Sequence, residues 1–245
     1  MDIVQSTLDS ILFSEKTTHR SDLVVQGPAR NIHEAFWADA FHRNLRLEDV
    51  EIEFRLGKLS PFGKGPFNTT IPKLLFDSMI ISLQDYDSWD EISHTRDVVG
   101  YFPEEDQSIR LIVHEDGSKT TQSKQKLTQA DFFGVTLPFD FRMAINIELK
   151  LDSDRKLEQA TRVVTRERHS FALKNVQYDL TRITHFDGTQ EHQIELEILN
   201  LTELQLTSVN SQSLTIELQQ RLVDIMNACE PVRDFNVKLC RKRNF

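Results

Sequence analysis

The stretch Asp49-Val-Glu-Ile-Glu-Phe-Arg-Leu-Gly57 decides the fold, and Glu191-His-Gln-Ile-Glu-Leu-Glu-Ile198 answers it near the other end of the chain. In both, polar and apolar residues alternate with the period of a β-strand, so Glu51 and Glu53 share one face and Glu195 and Glu197 share another. Between them lie further alternating runs. Phe141 to Leu151 places Arg142, Asn146, Glu148 and Lys150 opposite Phe141, Met143, Ile145, Ile147 and Leu149. Val164 to Phe171 carries Arg166, Arg168 and Ser170 on one side, and Val176 to Thr184 carries Asp179 and Thr181. Around Asp116-Gly117, a two-residue hairpin signal, the strand of Arg110 runs into that of Lys124 and Lys126, and Asp187-Gly188 gives a second turn. The pattern predicts seven or eight strands, largely an antiparallel meander.

The distribution of charge says how the sheet is curved. A solvated face mixes signs within each strand, whereas here acids gather on the first and last strands and cations on those between. Closing the sheet into a barrel joins first to last and merges both acid pairs beside a basic wall. The polar face then points inward and the apolar face outward, where helices must cover it. Three helical stripes are available: Ile32, Phe36, Trp37, Ala40 and Phe41 after an N-cap box at Asn31 and Glu34; Leu74, Leu75, Ile80, Ile81 and Leu83 after Thr70 to Pro72; and Leu214, Leu218, Leu222 and Ile225. The fold class is mainly β, an eight-stranded antiparallel barrel flanked by helices. A single domain over 1–245 is expected, with a helical flank at 1–48, strands over 49–201 interrupted by a helix near 70–85, and a last helix at 213–228.

Composition bounds the function. The 245 residues carry a formal net charge of −9, which argues against a basic coat for duplex nucleic acid and for local recognition of a polyanion in a pocket. Cys229 and Cys240 are the two cysteines and lack CxxC spacing, so neither a zinc nor a disulfide framework is expected. No targeting segment or membrane span is legible, and an intracellular location is expected. Gly63-Lys64-Gly65 lacks P-loop spacing, no HExxH or G-x-S-x-G occurs, and His169 and His185 read as strand or loop residues. The acids at Asp85, Asp87 and Asp90 read as a solvated turn, and Arg241-Lys242-Arg243 as a charged tail.

Four converging carboxylates repel one another, and desolvating each costs several kcal/mol unless a cation sits among them. All-oxygen ligation suits a hard ion, Mg²⁺ or Mn²⁺, which takes phosphate oxygens readily. The Arg and Lys residues opposite match a triphosphate. At these residues the chain resembles the tunnel-type, metal-dependent RNA 5′-triphosphatases of mRNA capping found in fungi, protozoa and large DNA viruses. The matching segments are Glu51 to Gly57, Arg110, Asp140-Phe-Arg142 through Glu148, Arg166-Glu-Arg168-His-Ser170-Phe171, Asp179-Leu-Thr181 and Glu195 to Ile198. The resemblance implies metal ligands at Glu51, Glu53 and Glu197, γ-phosphate contacts from Arg110, Arg166 and Arg168, and an attacking water ordered by Glu148. It implies supporting roles for Glu195, Lys124, Lys126, Arg142, Arg55, Asp179 and Thr181.

The chain departs from the pattern at Gln193, where yeast-like members carry an acid, and at Arg166, where they often carry Lys. The implied reaction is removal of the γ-phosphate from 5′-triphosphate RNA, with Mn²⁺-supported hydrolysis of nucleoside triphosphates alongside it. A capping guanylyltransferase is the implied partner, and the nucleus, or the cytoplasmic factory of a virus, the implied place. Two alternatives stay open: another tunnel-type phosphohydrolase (a nucleoside triphosphatase, tripolyphosphatase or thiamine triphosphatase) or adenylate cyclase, and a phosphate-binding module without turnover. The signature of those other enzymes is Glu-x-Glu-x-Lys close to the N-terminus; here Arg55 stands at the Lys position with about fifty residues before the motif, which favours the capping branch.

Overall fold

Alternating side chains commit these segments to strands, and the pairing register decides which face is inside. The computed structural model describes residues 23–24, 46–59, 66–134 and 139–200. In chain order the elements are β1 (Leu23–Val24), β2 (Val50–Gly57), α1 (Lys73–Gln84), β3 (Glu91–Pro103), β4 (Ser108–Val113), β5 (Lys119–Gly134), β6 (Asp140–Leu151), β7 (Arg162–Leu173), β8 (Val176–His185) and β9 (Gln190–Ile198). Strands β2 to β9 pair antiparallel in the order β5-β4-β3-β7-β8-β9-β2-β6, and β6 pairs back onto β5, which closes an eight-stranded barrel. The short β1 adds to β5 on the outside of this circuit. First and last acid strands meet as the charge pattern requires: Glu53 pairs with Glu197 and Arg55 with Glu195.

The barrel is inverted, with its main apolar core outside. Ile52, Phe54 and Leu56 of β2, Phe141, Met143 and Ile145 of β6, Leu180 of β8 and Ile194 and Leu196 of β9 form one buried cluster with α1. The sequence places α1 correctly, with Pro72 at its N-cap, but its stripe is rotated from the expected one. Leu75, Phe76, Met79, Ile80 and Leu83 are buried, while Leu74 and Ile81 are 59% and 60% exposed. Spacing of three and four residues through Phe76, Met79 and Leu83 follows the helical face better than adjacent pairs do. A smaller cluster of Phe102, Ile109 and Leu111 is covered by Leu157 and Ala160 in the connection between β6 and β7. The interior is not wholly polar, since Val99, Ile112, Val164 and Ile183 pack together and Ile112 and Ile183 face the cavity.

Both hairpins form where glycine predicts them, yet with three-residue loops. In each, the residue before the loop bonds the one after it: His114 N–H donates to Ser118 O and His185 N–H to Thr189 O, both at 2.9 Å. Gly117 and Gly188 take φ of +83° and +81°, the left-handed position that ends such a loop. The strand β3 has no counterpart in the sequence reading. Its first half leaves Ile92, His94 and Arg96 uncovered on the outer face, so no apolar period marks it. The expected helices around residues 31–41 and 213–228, the loop with Lys64, both cysteines and the basic tail lie outside the described residues.

Candidate active site

The inward faces enclose a cavity of about 840 Å³. On its acidic side β2 contributes Glu51, Glu53 and Arg55, and β9 contributes Gln193, Glu195 and Glu197. Arg55 joins the two strands, with Nη2 3.0 Å from Glu53 Oε2 and Nε 2.9 Å from Glu195 Oε1. Lys124 of β5 projects into the same group. Its Nζ bonds Glu51, lies 3.1 Å from Glu53 Oε2 and 3.2 Å from Glu148 Oε1. Asn146 adds a bond of 2.9 Å from Nδ2 to Glu51 Oε2.

Supply of positive charge on this side is uneven. Burial pushes Glu53 up, but Arg55 and Lys124 outweigh it and hold the carboxyl well below the usual range. Glu51 goes the other way, because burial and its neighbours Glu53 and Glu148 exceed what Lys124 returns. The Glu197 carboxylate makes no hydrogen bond or ion pair among the described residues. Burial and the carboxylates of Glu51 and Asp179 push it up to about 8.

The opposite wall has the converse imbalance. Arg110 of β4 reaches Glu148 Oε1 at 2.5 Å, and Arg166 of β7 reaches Asp97 Oδ2 at 2.8 Å. Asp97 is also shared with His114 Nδ1 at 2.9 Å. Arg168 is held by Asp179 Oδ2 at 2.9 Å and donates through Nε to Thr181 Oγ1 at 3.2 Å. Burial, with Arg168 and Arg110 nearby, lowers the pKa of Arg166 even though Asp97 opposes the shift. The Nε atoms of Arg110 and Arg166 are buried without a hydrogen-bond partner. Guanidinium groups packed this way favour an anion between them.

Of the candidate catalytic, metal-binding and supporting residues expected from the sequence, all face the cavity except Asp179. That carboxylate is 1% exposed and lies behind Arg168, accepting bonds from Ser170 Oγ at 2.6 Å and Gln177 Nε2 at 3.0 Å. Lys124 lies among the acids, whereas Lys126 is exposed and donates to Gln129 Oε1 at 3.0 Å. Arg142 pairs with Asp131, at 2.6 Å from its Nε. Gln193 donates to Thr69 Oγ1 at 3.1 Å and Glu191 Oε2 at 3.2 Å. Two residues behind Arg166 are not legible in the sequence: Asp97, because β3 shows no periodicity, and His114, which follows β4 and reaches Arg166 only through Asp97. Asn146 was legible as an inward residue of β6 but not as a partner of Glu51.

The oxygen-only donors Glu51, Glu53 and Glu197 fit a hard divalent ion by chemistry, and the unpaired Glu197 carboxylate is the observation that favours one. Their geometry is more open than a closed cage: among the described residues, no three tunnel carboxylates bring oxygens within 4.8 Å of one another. Lys124 supplies the positive charge beside Glu51 and Glu53 instead.

Residues 78–234 match the family described as mRNA capping enzyme, beta chain, which is more than half of the chain. The chain belongs to this family of mRNA-capping RNA triphosphatases. Its activity is therefore that of an RNA 5′-triphosphatase, a hydrolase. The matched span begins after β2, so Glu51 and Glu53 precede it. The fold is similar to that of the S. pombe Pct1 RNA triphosphatase, solved in complex with the Spt5 CTD, with 18% identity, a TM-score of 0.62, and 87% of this chain and 94% of that chain covered. A second structure of S. pombe Pct1 gives a TM-score of 0.60 at the same identity and coverage. The RNA triphosphatase domain of a mimivirus mRNA capping enzyme is more distant, with 13% identity, a TM-score of 0.49, and 83% and 100% coverage. No curated protein sequence matches the chain. Among the described residues, no helix is long and apolar enough to cross a membrane.

Proposed function

We propose that this capping triphosphatase binds the 5′-triphosphate end of RNA in the cavity between the two walls and releases its γ-phosphate by in-line attack of water. Glu51, Glu53 and Glu197 would hold Mg²⁺ or Mn²⁺, and the ion, when bound, supplies Lewis-acid neutralisation of phosphate oxygens. Arg110, Arg166 and Arg168 hold the γ-phosphate oxygens and stabilise the charge that grows on them. Glu148, paired with Arg110 and Lys124, orients the water and accepts its proton. The new bond joins the water oxygen to the γ-phosphorus. The bond from γ-phosphorus to the β–γ bridging oxygen breaks, leaving diphosphate-ended RNA and inorganic phosphate.

Supporting roles follow from contacts. Arg55 and Glu195 brace β2 against β9, Asp179 and Thr181 fix Arg168, Lys124 tunes the acids, and Lys126 and Arg142 meet the outer part of the substrate. The observation that carries the reading is the paired deficit: an acid wall with an unpaired, desolvated Glu197 faces a basic wall in which Arg110 and Arg166 each keep a buried Nε without an acceptor. A divalent ion with a triphosphate satisfies both at once. We extend the reading to Mn²⁺-dependent hydrolysis of free nucleoside triphosphates, to a capping guanylyltransferase as partner, to the nucleus or a viral factory as location, and to 1–245 as one domain.

The test compares γ-labelled triphosphate RNA with γ-labelled ATP, in Mg²⁺ and in Mn²⁺, for wild type and Glu197→Ala. Metal-dependent phosphate release that falls at least about a hundredfold in the variant is expected. Equal release by both proteins would remove Glu197 from the metal site. Pyrophosphate released from ATP would assign a cyclase instead.

A further inference from the structure

The outer wall carries a group of side chains that the tunnel chemistry does not use. Register pairs His94 of β3 with His169 of β7, and Glu167 lies two residues from His169 on the same outward face. One donor atom from each of these three side chains lies within 4.8 Å of the other two. The imidazole rings stack with centroids 4.4 Å apart and planes inclined by 28°. His94 Nε2 is 3.2 Å from Glu167 Oε1. Two ligands bound to one zinc ion at about 2.0–2.1 Å in tetrahedral geometry stand ~3.3 Å apart, so this pair is already at ligand spacing.

Two further features distinguish the cluster from a chance surface contact. The second oxygen of Glu167 is fixed by Arg182 Nη1 at 2.7 Å, and Arg182 is itself tied through Nη2 to Asp77 of α1 at 3.3 Å. A carboxylate held on one oxygen by an outer partner, with its other oxygen turned toward two imidazoles, is the arrangement that orients metal ligands. The His169 ring makes no hydrogen bond among the described residues, so its nitrogens are not committed to another partner.

We propose that His94, Glu167 and His169 form an exterior site for a borderline-soft divalent ion, Zn²⁺ above all, that braces β3 to β7. Two nitrogens and one oxygen suit Zn²⁺ and discriminate against Mg²⁺, which favours the all-oxygen tunnel. The same two strands carry Asp97, Arg166 and Arg168 on their inner faces. A bound ion would therefore stiffen the wall that holds the arginines without touching substrate.

The test titrates metal-stripped full-length protein with Zn²⁺ against a chromophoric chelator, in millimolar Mg²⁺, for wild type, His94→Gln, His169→Gln and Glu197→Gln. One equivalent bound by wild type, at least about tenfold weaker binding in both histidine variants, and wild-type binding in Glu197→Gln are expected. Co²⁺ in place of Zn²⁺ should give visible absorption that the His94→Gln variant loses. No Zn²⁺ bound by wild type, undiminished binding in the histidine variants, or loss of binding in Glu197→Gln would each overturn the site. His94 is exposed, so its variant stays informative if His169→Gln fails to fold.

Discussion

Glu197 is the residue at which catalysis and stability pull apart. Its carboxylate is desolvated and unpaired, so it disfavours the metal-free fold while being available to a cation. Glu197→Gln should abolish metal-dependent phosphate release and at the same time raise the melting temperature of the chelator-treated protein at pH 8. A variant that lost both would mark Glu197 as a structural residue. Arg55 makes the opposite case, because it serves two carboxylates on adjoining strands. Arg55→Ala should cost roughly 3 kcal/mol in urea unfolding, since it leaves buried charge without its partner. Asp97→Asn removes one charge from Arg166 and His114. It should raise KM for triphosphate RNA more than it lowers kcat, as expected when a positioning contact to a binding arginine is lost.

At the scale of elements, β2 shows how closely the strand and its neighbours are fitted. A Cβ on Gly57 would lie 2.4 Å from the carbonyl oxygen of Asn68 and 2.5 Å from the Phe67 ring. The carbonyl cannot move freely, because Lys58 and Asn68 bridge that segment with two backbone bonds of 2.8 and 2.9 Å. Gly57→Ala should therefore destabilise the fold by about 1–3 kcal/mol, seen as a lower urea midpoint with unchanged slope. Strands with one apolar face under a helix announced themselves by alternation: β2, β6, β8 and β9 all lie over or near α1. By contrast β3 did not, because half of its outer face is covered by nothing apolar. The same gap hid Asp97 and His94, one facing the tunnel and the other the outside. His94 and His169 are 75 positions apart in the chain and meet only because β3 pairs with β7.

For the molecule as a whole, the metal-free protein should have an unusual pH response. Glu197 is held near 8 in the fold, against about 4.3 in an unfolded chain, so between those values the native state binds the extra proton. Stability contributed this way is present at low pH and lost as pH rises toward 8. His169 and His192, whose pKa values burial lowers, make the fold more stable as pH rises to about 6.5 and add nothing above it. Glu51, pushed up to about 7, adds a smaller fall of the same sign, so from pH 7 to 8 melting in chelator should show stability falling by on the order of 1 kcal/mol per unit, with Glu197 the larger contributor. Mg²⁺ or Glu197→Gln should flatten that slope; an unchanged slope in the variant would rule out Glu197 as its source.

Sequence alone determined that the strands alternate, that acids belong to the outer pair of the meander and cations to the middle, and that closure turns the charged face inward. These follow from local periodicity and from the cost of leaving like charges together, both readable along the chain. Pairing register and the direction of long side chains were decided only by the tertiary structure. Register placed Glu53 beside Glu197, set Lys124 rather than Lys126 among the acids, gave Arg166 its Asp97 and brought His94 to His169. The reason is physical: period two fixes which face a residue takes, whereas a partner across the sheet depends on how closure and the bulge between Lys126 and Thr128 slide one strand along another.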